Sequence, residues 1–293
     1  MKVFVTGGTG LIGRALVKRL LADGHDMTVL TRQSLDSSET ATYINSIDDL
    51  DTSQDIVVNL AGAGLEDRRW SPAYKKEMRT SRLDLTEALV SRLRNIGMPA
   101  LLISGSAIGF YGESKEREFS ETYQVGSGFS AELCRDWEAS VSDIGSEGTR
   151  CALLRTGVVL DRTLGAYPQM TQSFRFGLAS WMGQGDHWLS WIHLADMVGA
   201  IMHCIQNEAL SGPVNMTAPN PVTHRSFSDE VRNATTTLVG MGIPGWVMRL
   251  MVGEMAEELL LTGQRVMPTK LLSTGYEFRF GDLKGAIADL EAR

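Results

Sequence analysis

No run of apolar residues in the chain is long enough to cross a bilayer, for which a helix needs about 20, so no membrane partner is expected. Cysteine is scarce: Cys134, Cys151 and Cys204 are widely spaced, odd in number and form no Cys-x-x-Cys. That pattern excludes a disulfide framework and suits a reducing compartment, the thiols being read as buried core groups. Basic charge is in deficit. The formal net charge of −7 argues against nucleic acid or an anionic lipid surface as a partner. No spacing of His, Cys, Asp and Glu points to a metal. Met1-Lys-Val-Phe-Val-Thr6 runs straight into a glycine-rich turn with no room for a cleavable leader, so the expected location is cytoplasmic. Internal repeats, low-complexity tracts and long linkers are also missing.

What is present is ordinary for a soluble globular protein: 43% hydrophobic and 22% charged residues in a chain of 293. A chain of this length buries roughly 75% of its unfolded surface without covalent staples. Short β-rich runs recur at residues 2–6, 27–31, 56–61, 100–104 and 150–155, separated by segments with helical spacing. Ser71-Pro72 spells an N-cap followed by proline in the first turn, which predicts one long helix to about Asn95. A further helix is expected over 129–144. Strands alternating with helices predict an α/β fold, a Rossmann-type doubly wound parallel sheet with a smaller C-terminal cap. The expected division is a dinucleotide-binding part over 1–160 and 190–212, and a substrate cap over 161–189 and 213–293.

Between the first strand and the first helix stands Gly7-Gly-Thr9-Gly10-Leu11-Ile12-Gly13. Gly7 permits a sharp turn, Gly10 a close approach of backbone to pyrophosphate, and Gly13 close packing of helix on sheet, with the phosphates at the helix N-terminus. The end of the second strand reads Thr31-Arg32-Gln33-Ser34, without the carboxylate that usually accepts from an NAD ribose. Arg32 suits a 2′-phosphate by charge and by its planar donor fork, so NADP is expected ahead of NAD.

Thr6–Gly13, Asn59-Leu60-Ala61-Gly62, Ser104-Gly-Ser106 with Tyr111-Gly112, Leu154–Val158 and Trp191–Asp196 together resemble the extended short-chain dehydrogenase/reductase superfamily of sugar-nucleotide epimerases and dehydratases. A narrower resemblance is to the atypical "epimerase family" group with its C-terminal domain of unknown function. It is carried by Asn59–Ala63, Leu133-Cys-Arg-Asp-Trp-Glu138 and the tail Gly253–Val266 with Pro268 and Leu271. The resemblance implies an NADP(H)-binding, oxidoreductase- or epimerase-like protein acting on a small polar substrate as a monomer or homodimer. It also implies a cofactor surface of Gly7, Thr9, Gly10, Leu11, Ile12, Gly13, Thr31, Arg32, Leu60, Ala61, Gly62, Glu77, Arg82, Ser104 and Val159. Arg82 stands where the superfamily often has an asparagine; the alternative reading is a surface charge on an amphipathic helix.

The catalytic centre departs from the superfamily. There a serine hydrogen-bonds the reacting oxygen, and a tyrosine about 25 residues on, with a lysine four positions later, moves the proton. Ser106 fits the serine, but the corresponding helix positions hold Phe129 and Leu133. Tyr111 and Lys115 reproduce the spelling Tyr-x-x-x-Lys too close to Ser106, in a strand-to-loop segment, and only Tyr111 stays as a substitute acid. The alternative is a catalytically weak or inactive NADP-binding regulatory module. His187, Trp188, Trp191 and His193 are read as pocket lining or as core, with His193 hydrogen-bonded and Asp196 capping the next helix. Trp246–Val252 is read as cap packing, or as a dimer or lid surface. Arg68-Arg69 and Lys75-Lys76 are read as solvated charge.

Overall fold

The computed structural model describes residues 1–292 except 236 and 238. Its apolar runs pair into a central parallel sheet of β1 (Lys2–Thr6), β2 (Asp26–Leu30), β3 (Ala41–Ile44), β4 (Ile56–Asn59), β5 (Leu101–Ala107), β6 (Arg150–Thr156) and β7 (Gly212–Met216). Their order is β7-β6-β5-β4-β1-β2-β3. The winding reverses between β1 and β4, which opens a crevice at their carboxyl ends. The register sets Thr6 beside Asn59, Asn59 beside Ser104, and Ser106 beside Arg155.

Both faces of the sheet are covered, so the central strands are apolar on both sides. Val3, Val5, Val58 and Ile103 pack toward α1 (Leu11–Ala22), while Phe4, Val57 and Leu102 face Leu89 and Leu93. Ser71 caps as expected, its hydroxyl accepting from Tyr74 N at 3.1 Å. The single long helix is however two, α2 (Pro72–Thr80) and α3 (Leu83–Ile96). The break at Ser81-Arg82 has a tertiary cause: both side chains are drawn to Ala63, whose N–H donates to Ser81 Oγ at 3.0 Å and whose carbonyl accepts from Arg82 at 2.9 Å. The next helix, α4, covers Phe129–Ala139, shorter than expected, and a 3₁₀ segment follows over Ser142–Glu147.

The cap comprises α5 (Ala166–Met170), α7 (His224–Ala234), α8 (Gly245–Val252), α9 (Thr269–Ser273) and α10 (Leu283–Glu291), with α6 (Leu194–Gln206) on the sheet. Tyr167, Trp191, Phe227, Ile287 and Leu290 form its core. β7 joins the sheet through Met216, past the expected boundary at 212. His193, not Asp196, caps α6: its Nδ1 accepts from Ala195 N at 3.1 Å. Asp196 instead accepts from Arg279 N and Phe280 N, both at 2.8 Å, and so ties the C-terminal segment to the sheet domain.

Candidate functional site

The glycine turn has the shape its spelling calls for. Gly7 has φ +70°, and a Cβ there would lie 2.8 Å from the Leu60 carbonyl carbon; one on Gly13 would lie 2.2 Å from Gly7 O. At Gly10 an added Cβ meets nothing closer than Gly7 O at 3.3 Å, so this glycine faces outward. Helix geometry leaves the first-turn N–H groups of α1 without intrahelical acceptors, Gly10 supplies no side-chain cap, and no acidic residue stands in that turn. Such an arrangement suits an anion. At the end of β2, Asn45 donates to Thr31 O at 2.7 Å and Gln33 O at 3.2 Å, which shapes the turn that exposes Arg32. No carboxylate adjoins Arg32 in sequence, and the donor set suits a 2′-phosphate.

The opposite wall follows β4. Thr6 Oγ1 donates to Asn59 Oδ1 (2.7 Å) and accepts from Ala61 N (3.1 Å), fixing Leu60-Ala61-Gly62 beside the turn. Arg82 is not a surface charge: it bonds Met78 O and Ala63 O, lies over the Trp137 ring at 5.2 Å, and packs against Gly62. Burial lowers its pKa from the ordinary arginine value. Glu77 is exposed and pairs with Arg68 at 3.2 Å. Lys75 is not free solvated charge either, since it pairs with Glu254 and lies 4.8 Å from the Phe129 ring centroid. Val159 sits in a short strand (Val158–Leu160) opposite Ile192. Leu11 abuts Gly165, so the cap meets the start of α1.

Ser106 and Tyr111 belong to one buried network. Ser106 Oγ donates to Glu138 Oε1 at 2.7 Å, and Glu138 receives both arms of Arg155 at 2.8 Å. Arg155 also donates to Tyr111 Oη at 3.0 Å, and Tyr111 donates to Asn215 Oδ1 at 2.6 Å. With its proton directed at Glu138, Ser106 presents lone pairs. Tyr111 is 3% exposed and stacked on Phe119 at 5.2 Å. Burial pushes its hydroxyl pKa up, against the lowering influence of Arg155. Burial opposes the charge of Arg155, but the bonds and charge of Glu138 hold its pKa above the ordinary value.

Lys115 pairs with Asp186 at 2.7 Å on the surface. On α4, Phe129 packs edge-on against Trp70 at 5.2 Å, and Leu133 is buried in the same cluster. Ser104 Oγ is buried and has no partner among the described residues. Glu138, Arg155 and Asn215 were not singled out as functional residues from the sequence. The only hint of the first two lay in the motifs Leu133–Glu138 and Leu154–Val158, which contain them.

The NAD-dependent epimerase/dehydratase family model matches residues 3–216, and a domain of unknown function (DUF1731) matches residues 243–290. An epimerase family protein of Mycobacterium bovis is 37% identical over 289 residues, covering 97% of this chain and 96% of the relative. A chloroplastic SDR39U1 homolog of Arabidopsis thaliana is 34% identical, with 98% and 86% covered. Among solved structures, human epimerase family protein SDR39U1 with NADPH superposes with a TM-score of 0.90 at 31% identity, covering 99% of both chains. A nucleoside-diphosphate sugar epimerase of Corynebacterium glutamicum superposes at 0.79 and 31% identity, with 98% of this chain and 57% of that one covered. The chain belongs to the NAD-dependent epimerase/dehydratase family.

Proposed function

We propose that the protein binds NADP(H) and exchanges hydride with a small polar substrate held between the carboxyl ends of the strands and the cap. The observation that carries this reading is the uncapped α1 N-terminus, with outward-facing Gly10 and the exposed Arg32 at the end of β2. The likeness to a human relative solved with NADPH supports it. The first-turn N–H groups of α1 would hold the pyrophosphate, Arg32 the 2′-phosphate, and the Leu60–Gly62 wall, braced by Arg82, would border the nicotinamide ribose. When bound, the nicotinamide supplies or accepts a hydride.

The accompanying proton does not suit Tyr111, whose hydroxyl is buried between Arg155 and Asn215. Ser106 orients a donor group of the substrate through its lone pairs, and a substrate-borne group moves the proton. The commitment of both hydroxyls to interior partners favours a second reading, a cofactor-responsive module with little turnover.

NADPH fluorescence on titration tests the binding. Arg32→Ala should weaken NADPH about tenfold or more and leave NADH nearly unchanged, because a charge-assisted bond contributes roughly 1.5–3 kcal/mol. Equal losses for both cofactors would reject the assignment of Arg32. Screening carbonyl compounds for NADPH oxidation separates the two readings: turnover supports the enzyme, and tight binding without turnover the module.

A further inference from the structure

We propose that the protein forms a symmetric dimer through its cap, two copies of the strand Val239–Ile243 pairing antiparallel about a two-fold axis at Met241. This strand runs parallel to Leu178–Met182 and pairs with no other strand among the described residues. Ile243 O accepts from Gly183 N at 2.9 Å. Val239, Met241 and Ile243 therefore turn their backbone groups toward Leu178–Met182. Gly240 and Gly242, out of phase with them, turn theirs to the outer edge. The strand has no charged residue, no proline and an unbroken register, so it lacks the devices that keep an edge from pairing with another strand.

The two faces of the strand differ. A Cβ on Gly242 would lie 2.7 Å from Trp181 Nε1 and one on Gly240 3.3 Å from Trp181 Cζ3, so the Trp181 ring fills one face. Val239 and Met241 project from the other and are exposed. A two-fold axis at Met241 sets Gly240 against the partner's Gly242, each exchanging its N–H and C=O with the other. It also sets Met241 against its own copy.

Apolar surface continues from the strand in both directions. Pro244 leads into α8, where Met248 is buried while Trp246, Leu250 and Met251 stay exposed. Phe176, 84% exposed, stands two residues before Leu178, the register partner of Val239. Of the twelve large apolar side chains exposed among the described residues, six lie in this region: Phe176, Val239, Met241, Trp246, Leu250 and Met251. At roughly 150–250 Å² for a large side chain, they expose on the order of 800 Å² together, which is what one partner contributes to a stable interface of about 1,600 Å². The outer positions of α3 and α4 carry Asp84, Glu87, Arg94, Glu132 and Arg135 instead, which suit solvent. The net charge of −7 disfavours an anionic lipid surface as the occupant. A second copy of the chain matches both the open strand edge and the apolar area, in the two-fold arrangement most common among soluble oligomers.

Sedimentation velocity of the full chain from about 1 to about 100 μM tests this, since interfaces of this size bind at micromolar concentration or tighter. The wild type should be a dimer at the upper end of that range. Met241→Lys and Met241→Glu each place two like charges at the axis and should weaken the dimer about a hundredfold or more. Met241 is half exposed, so both variants should keep the wild-type urea midpoint. An equimolar mixture of the two should form a dimer again, because lysine then faces glutamate; only a position on the axis predicts this recovery. A wild type that stays monomeric overturns the proposal, as does a dimer that survives Met241→Lys or a mixture that stays monomeric. Should the Met241 variants fail to fold, Leu250→Lys on the exposed side of α8 must itself weaken the dimer at least tenfold, and an unchanged dimer overturns the proposal. Dimer formation requires no cofactor, so the result stands apart from the NADP(H) reading.

Discussion

Glu138 accepts from Ser106 and from both arms of Arg155 in a site where Arg155 is only 3% exposed. Removing its charge strands a buried guanidinium, so Glu138→Gln should lower stability by about 3–5 kcal/mol in urea unfolding. Ser106→Ala removes one hydrogen bond and leaves the ion pair, and should cost about 1–2 kcal/mol. The reverse ranking would show that Glu138 serves Ser106 more than Arg155. His224 contributes a pH dependence. Burial, then the neighbouring His187 at a ring distance of 5.0 Å, depresses its pKa from 6.5 to about 4. The unfolded chain therefore takes up a proton that the folded state refuses. Stability should fall as pH drops from about 6.5 to about 4, by an amount on the order of 3 kcal/mol, at 1.36 kcal/mol per pKa unit. His224→Asn should flatten this slope, and an unchanged slope would assign it to other groups.

Helices and strands that draw their order from local pattern were legible in the sequence, and those shaped by distant contacts were not. β4 and β5 read as apolar runs because helices cover both faces, and Ser71-Pro72 located the start of α2. The break between α2 and α3 depends on Ala63, 18 and 19 positions from the side chains that reach it, and nothing local announces it. β3, at the sheet edge, is only four residues long, Ala41-Thr-Tyr-Ile44, too short for a pattern to read. The glycine turn belongs to the legible class, and its two demands separate by substitution. Gly13→Ala sets a methyl against Gly7 O and should cost about 1–3 kcal/mol of stability, with loss of NADPH binding. Gly10→Ala meets little protein and should change stability by no more than about 0.5 kcal/mol, yet weaken NADPH because the methyl occupies the pyrophosphate approach. Unaltered NADPH affinity in Gly10→Ala would remove Gly10 from the site.

Across the whole molecule, the candidate site is assembled from segments that the chain order keeps far apart. Ser106 meets Glu138 across 32 residues, and Tyr111 meets Asn215 across 104. The sheet register, which sets Ser106 beside Arg155, creates the first network, and a residue-by-residue reading cannot supply a register. Asp196 does the corresponding work for the cap. From the start of α6 it receives the backbone N–H groups of Arg279 and Phe280 at 2.8 Å, and the Tyr276 hydroxyl also reaches it, at 3.2 Å. Phe280 then joins Trp191, Ile287 and Leu290 in the cap core, so this one carboxylate links α10 to the sheet. Asp196→Ala leaves two backbone donors unpaired and should destabilise the protein by about 3 kcal/mol or more, each charge-assisted bond contributing roughly 1.5–3 kcal/mol. The loss should start locally. Hydrogen exchange should accelerate first at residues 276–291, while β1, β4 and β5 keep their protection. Uniform acceleration across the sheet would mean instead that cap and sheet unfold as one unit and that Asp196 stabilises the whole of it.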